Sequence, residues 1–273
     1  MKLYVVGTPI GNLGDLSPRA VQVLQSVDFI AAEDTRVTLK LLNHFGIKKP
    51  MVSYYEHNLR ERGELIISRI LGGEQCAIVT DAGMPCISDP GEDLVRLCRA
   101  RGVPIEVVPG PSAAISALAV SGLTTSRFSF EGFLSTAKKA RAEHLDEVKD
   151  NPRTLIFYEA PHKLISTLED MLRVFGDRRI SLARELTKLH EEVLCSTLSQ
   201  AAAYYKETAP RGEFVLIVEG APKKEVERVS IQEAAQLATE LAAQGLSLSE
   251  AAKQAAAKTG HRKSEIYSLV SKS

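Results

Sequence analysis

The residues with chemical potential sit in turn-rich stretches, and the densest is Val79-Thr80-Asp81-Ala82-Gly83-Met84-Pro85-Cys86-Ile87-Ser88-Asp89-Pro90-Gly91. Two aspartates, two glycines, two prolines and a serine exert far more backbone control than a plain strand-to-helix link needs, so this segment reads as a ligand loop. An earlier stretch, Gly7 to Pro18, ends on a helix start, with Ser17 as N-cap and Pro18 in the first helical position. Backbone N–H groups at such a terminus can meet a carboxylate or phosphate. Glu33-Asp34-Thr35-Arg36 crowds three charges and a hydroxyl at a strand end. Either Asp34 or Thr35 caps the helix that follows, or Asp34 and Arg36 point into a cleft. Near the other end, Lys258, His261, Arg262, Lys263 and Lys272 are opposed only by Glu265, a pattern that fits a phosphate-contacting surface or a solvated face.

Such loops need rigid elements to hold them. Leu3–Val6, Val27–Asp34, Met51–Tyr54, Cys76–Val79 and Val103–Val108 read as strands, and Cys76–Val79 is a short apolar run with β-branched members, as expected of a strand buried on both faces of a parallel sheet. Between them lie helical patterns, including Val37–Phe45, Leu59–Leu71, Asp93–Ala100 and Ala113–Val120, the last capped by Ser112. This alternation gives a parallel α/β domain, in which loops at the carboxyl ends of strands bind ligands. The first-loop glycines run G-x3-G-x2-G with Pro9 inside the turn, unlike the dinucleotide-binding fingerprint. An NAD site stays as a minor alternative, because Glu33 and Asp34 end the second strand about 20 residues further on.

The second half changes pattern. Arg127–Leu134 alternates like a strand, Lys138, Lys139 and Arg141 mark a basic helix, and Thr154–Tyr158 is a strand ending at Glu159. Ile180–Leu186, Glu191–Cys195 and Gly212–Glu219 continue a mixed sheet with intervening helices. Ala221–Glu225 reads as a linker, followed by Ala-rich helices over Ser230–Ala243 and Ser249–Lys258 and a third over His261–Lys272, in a helix-turn-helix arrangement. The expected domains are 1–111, 112–221 and 222–273.

Composition narrows the class. Hydrophobic residues at 44% and charged residues at 25% are ordinary for a soluble globular chain. No apolar run approaches the roughly 20 residues of a membrane helix, and the N-terminus enters a strand pattern at once, which points to a cytoplasmic protein without membrane association. Net charge is +0, so a polyanionic partner would need a local basic patch. Cys76, Cys86, Cys98 and Cys195 are widely spaced without a C-x-x-C pair, so they are expected to be buried free thiols, with no metal site and no disulfide framework.

Six motifs in order carry a resemblance: Gly7-Thr8-Pro9-Ile10-Gly11-Asn12-Leu13-Gly14-Asp15, Ala32-Glu33-Asp34-Thr35-Arg36, Asp81-Ala82-Gly83-Met84-Pro85 with Ser88-Asp89-Pro90-Gly91, Pro109-Gly110-Pro111-Ser112-Ala113, Phe157-Tyr158-Glu159-Ala160-Pro161-His162, and Ala183-Arg184-Glu185-Leu186-Thr187-Lys188. Together they resemble the bacterial small-subunit (16S) ribosomal RNA cytidine 2′-O-methyltransferases of the tetrapyrrole methylase superfamily, along the whole chain. The resemblance implies a two-domain α/β methylase fold with a small C-terminal helical domain. It also implies S-adenosylmethionine in the cleft between the α/β domains, 16S rRNA or the small ribosomal subunit as partner, and a homodimer. By motif position, the cofactor would touch Pro9 and Ile10, then Asp81, Ala82, Gly83 and Cys86, then Ser112 and Ala113, and finally Glu159 and Leu186. Relatives acting on tetrapyrroles carry Gly-Asp-Pro in the central loop, where this chain has Asp81-Ala82-Gly83-Met84-Pro85, so the contacts here would be those of backbone shape.

The implied reaction is in-line attack of a ribose 2′-hydroxyl on a sulfonium methyl group, an already activated system that needs no metal. Proximity and removal of the hydroxyl proton remain for the protein. Asp34, Glu185 and Lys188 are the candidate catalytic groups, Lys188 acting as a base only if burial lowers its pKa and otherwise holding a phosphate. Arg36 and Arg184 would position the RNA backbone or pair with these acids, and Arg262 and Lys263 would contact RNA from the helical domain. The alternatives are a small-molecule tetrapyrrole methylase and a non-catalytic RNA-binding or ribosome-assembly factor. The helical domain argues against the former, because a small ring needs no added surface.

Overall fold

A computed structural model describes residues 1–222 and 230–271. The linker expected over Ala221–Glu225 runs into 223–229, and Lys272 follows 271, so both calls reach outside the described residues. The chain divides into two compact units, Met1–Ala221 and Pro222–Ser273.

The first unit contains two five-stranded sheets. The first sheet takes β1 (Leu3–Val6), β2 (Phe29–Ala32), β3 (Met51–Ser53), β4 (Cys76–Val79) and β5 (Ile105–Val108), all parallel, in the order β3-β2-β4-β1-β5. Its helices are α1 (Pro18–Ser26), α2 (Thr35–His44), α3 (Leu59–Leu71) and α4 (Glu92–Ala100). The expected cap forms at α1, where the Ser17 side chain accepts from Ala20 N–H with Pro18 starting the helix, but Ser112, at the N-cap of the helix Ala113–Val120, makes no side-chain capping hydrogen bond. β2 and β4 are buried at every position because helices cover both faces, which is why Phe29-Ile30-Ala31-Ala32 and Cys76-Ala77-Ile78-Val79 read as continuous apolar runs. Inserting β4 between β2 and β1 puts the loops after β1 and β4 side by side at the sheet's carboxyl end.

The second sheet takes β6 (Phe128–Phe133), β7 (Thr154–Glu159), β8 (Arg179–Arg184), β9 (Glu192–Thr197) and β10 (Phe214–Val218), in the order β6-β7-β10-β8-β9. Only β6 and β7 are parallel, so this half is mixed. Central β10 is buried along its whole length and pairs Phe214 with both Glu159 and Arg184, which gathers the ends of three strands. On one face α7 (Leu164–Phe175) and α8 (Leu198–Glu207) pack over Phe157, Leu182 and Leu216. On the other, α5 (Ala113–Val120) lays Ala114, Ala117 and Leu118 on Ile156, Ala183 and Val215, which ties the first half to the second sheet. Each large apolar side chain so covered contributes about 1.5–3 kcal/mol. Between β6 and β7 lies α6 (Lys138–Val148), which is not the basic helix expected, because Glu143, Asp146 and Glu147 balance Lys138, Lys139 and Arg141.

A bulge between Phe130 and Gly132 changes what β6 presents. With period-2 alternation Phe130 and Phe133 would face opposite sides, but the extra residue brings both onto Tyr158, at ring-centroid distances of 5.1 and 5.4 Å. Cys195 and Cys86 depart from the expected buried set: Cys195 is exposed because β9 is the outer strand of its sheet and Cys86, in the loop after β4, is only partly buried, while Cys76 and Cys98 are buried.

The second unit contains α9 (Ile231–Ala243), α10 (Leu248–Thr259) and α11 (Lys263–Val270). Ser230 and Glu233 form a reciprocal capping box at α9, and Gly260 takes the left-handed conformation at the end of α10. Ala234, Ala238, Ala252 and Ala255 close around Ile266, so the alanine richness of the sequence is a close-approach surface. The short turn Gly260 to Arg262 between α10 and α11 gives the expected helix-turn-helix.

Candidate functional site

The first and central loops are stitched together by backbone. Thr8 N–H donates to Gly83 O at 2.8 Å, Gly83 N–H donates back at 3.2 Å, and the Thr8 hydroxyl donates to Thr80 O at 3.0 Å. The Pro109–Gly110 turn seats directly on the first loop. A Cβ on Gly110 would lie 2.8 Å from the backbone carbons of Gly7, and one on Gly7 would lie 2.7 Å from Gly110, distances that side chains do not tolerate. Glycine is required at both positions by this crossing, and α5 therefore begins beside the central loop.

Between these loops and the gathered ends of β7, β8 and β10 is a cavity of about 330 Å³, near the lower bound of ordinary ligand sites. Of the residues expected at a cofactor, Ile10, Asp81, Ala82, Gly83, Ser112, Ala113, Glu159 and Leu186 line it. Pro9 and Cys86 do not. Pro9 is buried, and the Cys86 thiol packs back toward Gly91, whose Cβ position is 2.7 Å from Sγ. Glu159 lines the wall, yet it is 2% exposed and its oxygens accept from Thr167 hydroxyl at 2.6 Å and Ala160 N–H at 2.9 Å. It braces the strand end rather than offering an open acceptor.

Of the expected catalytic and RNA-contacting groups, Glu185, Lys188 and Arg184 reach the cavity, and each is paired. Lys188 Nζ donates to Glu185 Oε1 at 2.9 Å, and Arg184 bonds Glu192. Asp34 and Arg36 lie outside the lining. Asp34 accepts Arg36 N–H at 2.8 Å as the cap of α2, and the Arg36 guanidinium folds back onto it at 2.6 Å. These bonds hold the Asp34 carboxyl down at about 2, which makes it a poor proton acceptor near neutrality. Arg262 and Lys263 belong to the second unit, where they line a cavity with Ser249, Ser264 and Tyr267, and Lys263 Nζ donates to Ser249 Oγ at 2.9 Å.

Sequence reasoning did not assign Glu33, Asp89 and Glu213, acids that also line the cavity, nor the apolar Phe133, Tyr158, Ala183, Phe214 and Val215. Glu33 and Asp89 stood inside quoted motifs, so the residues were in view while their role was not. Glu33 Oε2 accepts the Thr80 hydroxyl at 2.5 Å and Asp81 N–H at 3.4 Å, and Asp81 accepts Asp34 N–H at 3.2 Å. Burial, with Glu33 nearby, pushes the Asp81 carboxyl up. Burial also raises Asp89, to about 6, with Glu33, Asp81 and Glu213 adding to the effect and the Thr80 hydroxyl opposing it. The lining thus carries Glu33, Asp81, Asp89, Glu159, Glu185 and Glu213 against Arg184 and Lys188 alone, so it favours a cationic ligand with an apolar body.

The family model for tetrapyrrole (corrin/porphyrin) methylases matches residues 2–202. A "Ribosomal RNA small subunit methyltransferase I" of Synechocystis sp. is 46% identical over 98% of this chain and 96% of its own length. The protein of that name in Xylella fastidiosa is 48% identical over 97% of each. The one in Thermotoga maritima is 47% identical over 219 residues, 80% of this chain but 98% of its own. Among solved structures, a cobalt precorrin-4 methyltransferase superposes with a TM-score of 0.60 at 17% identity, covering 80% of this chain and 94% of that one, a likeness of fold alone. The extent of the family match, the near-half identity along the length and the likeness of fold agree: this chain belongs to the tetrapyrrole methylase family.

Proposed function

We propose that this protein methylates small-subunit (16S) ribosomal RNA, using S-adenosylmethionine to modify the 2′-hydroxyl of a cytidine. The observation that carries the reading is the 46–48% identity over nearly all of the chain to relatives named as ribosomal RNA small subunit methyltransferase I. The cavity's chemistry fits the cofactor: acids surround a cationic group, apolar side chains flank a nucleoside, and the start of α5 at Ser112 and Ala113 suits a carboxylate.

Bound there, S-adenosylmethionine supplies a methyl group on a positively charged sulfur. Asp81 and Glu33, fixed by the loop hydrogen bonds, would favour that charge. Ile10, Ala183, Leu186 and Val215 would exclude water from the reacting centre. Lys188, held by Glu185, would hold a phosphate rather than serve as a base.

Incubating the protein and labelled S-adenosylmethionine with unmethylated small subunits, free 16S rRNA and a uroporphyrinogen-type tetrapyrrole separates the readings. Label in a cytidine ribose supports the proposal, whereas label in the tetrapyrrole or in none of the three refutes it. The Thermotoga relative, nearly all of which is matched by 219 residues, is about as long as the Met1–Ala221 unit. The helical unit therefore adds RNA affinity, through Arg262 and Lys263, rather than chemistry.

The working form is a cytoplasmic homodimer on this reading. Edge strand β5 and α5 carry Val107, Ile115 and Val120, each more than half exposed, apolar side chains suited to a second copy. No described helix is long and apolar enough to cross a membrane. Sedimentation of the protein and of Val107→Glu checks the dimer, which a monomeric wild type would exclude.

A further inference from the structure

We infer that Asp89 is the general base that takes the proton from the substrate hydroxyl, an assignment that rests on the methyl-transfer reading above. Asp34 is outside the cavity and locked by Arg36. Glu185 accepts from Lys188, Glu33 from Thr80 and Asp81, and Asp81 from Asp34 N–H. Glu159 has both oxygens engaged. Glu213 is exposed at the cavity's edge. Glu185, Glu33, Asp81 and Glu159 thus already hold protein donors, which leaves fewer of their lone pairs open to a substrate hydroxyl.

Asp89 differs in surroundings and in support. It is half-buried, it lines the cavity, and its strongest charged neighbours are all acids: Glu33 at the end of β2, Asp81 after β4 and Glu213 before β10. The weakly acidic Tyr158 of β7 and Cys86 of its own loop also feel its charge. The cations in the lining, Arg184 and Lys188, are committed to Glu192 and Glu185.

The loop backbone fixes this position. Cys86 at φ 72° and Ser88 at φ 62° hold the left-handed conformation that non-glycine residues avoid, Gly91 takes φ 133°, and Cys86 N–H closes on Pro90 O at 3.4 Å. Strain of this kind persists where surrounding packing over-determines it. Burial among acids brings the carboxyl to about 6, so it is mostly ionised at pH 7 and still able to hold a proton in the transition state.

The step balances without another reactant. The hydroxyl oxygen forms the new bond to the methyl carbon, the carbon–sulfur pair leaves with sulfur as a neutral thioether, and the hydroxyl proton passes to Asp89 and then to solvent.

The test compares the full chain, Asp89→Asn and Asp89→Glu in single-turnover methyl transfer to RNA across pH 5–9. Cofactor binding by titration and the melting midpoint of unliganded protein against pH complete it. We expect wild-type turnover to rise with pH through about 6. Asp89→Asn should lose about 100-fold or more in turnover together with that limb, keeping cofactor affinity within about tenfold, and Asp89→Glu should regain the limb. Because the folded-state pKa lies above the ordinary carboxyl value, unliganded wild type should gain stability relative to Asp89→Asn as pH falls from 7 through 6 toward 4. An active wild type whose Asp89→Asn variant keeps turnover within tenfold, or keeps the ascending limb, overturns the assignment alone. A midpoint difference that does not vary with pH also overturns it. A wild type that transfers methyl to none of the tested acceptors overturns the methyl-transfer reading itself.

Discussion

Replacing Gly110 with alanine is the sharpest probe of how the site is assembled. The new Cβ would sit 2.8 Å from Gly7 Cα and C and 3.0 Å from Gly7 O, where 3.4 Å or more is ordinary contact. All of these atoms are backbone, so no side-chain rotation relieves the clash, and one loop must retreat by roughly 0.5 Å or more. Gly110 is not in a left-handed conformation, which leaves lost space as the whole cause. Overpacking of this type costs about 1–3 kcal/mol, or a fall in melting temperature of roughly 2–10 °C for a chain of this size. The retreat also carries Ser112 and the start of α5 away from Asp81 and Gly83, so cofactor affinity should fall about tenfold or more. Thermal denaturation and cofactor titration measure both effects. Gly46→Ala is the control, since Gly46 has φ 66° with nothing within 4 Å of its Cβ position and should cost only backbone strain. A Gly110→Ala protein that melts within 1 °C of wild type and binds cofactor within about twofold would refute the idea that this crossing positions the site.

Asp34→Asn should keep a side-chain acceptor at the start of α2 but free Arg36 while leaving the pH limb of turnover in place, and loss of that limb in pH–rate profiles would return Asp34 to the mechanism. Because its partners depress the Asp34 carboxyl, its stabilising contribution is present above the ordinary carboxyl pKa and fades as pH falls toward about 2, which acid titration of Asp34→Asn against wild type checks. Glu159→Ala strands the Thr167 hydroxyl and Ala160 N–H in a buried wall and should cost about 2–4 kcal/mol in denaturant unfolding; a cost below about 0.5 kcal/mol would contradict the bracing role. Arg262→Ala with Lys263→Ala should weaken RNA binding across sequences and reduce the salt dependence of log affinity by about 1–2, with turnover at saturating RNA unchanged, whereas an unaltered salt slope would remove the helical unit from the RNA interface.

Much of the frame was legible in the chain itself. Apolar runs such as Cys76–Val79 set the parallel strands, Ser17 and Pro18 set the start of α1, and the Asp81–Gly91 loop declared itself by its crowding of aspartate, glycine and proline, because these are local properties of backbone and side chain. The motif order was enough to name the family and part of the cavity wall, Ile10, Asp81, Ser112 and Leu186 among it. Which acid does what was not local. Asp34 looked free to work until the fold bent Arg36 back onto it, and Glu159 looked like a ligand until Thr167 claimed it. Phe133 reached the cavity only through a bulge that reverses its alternation. Asp89 was in view from the start, as one polar residue in a turn. Its raised proton affinity exists only because separate strand ends bring Glu33, Asp81 and Glu213 to the same partly buried space, and electrostatic coupling depends on distance and dielectric, which tertiary structure alone decides.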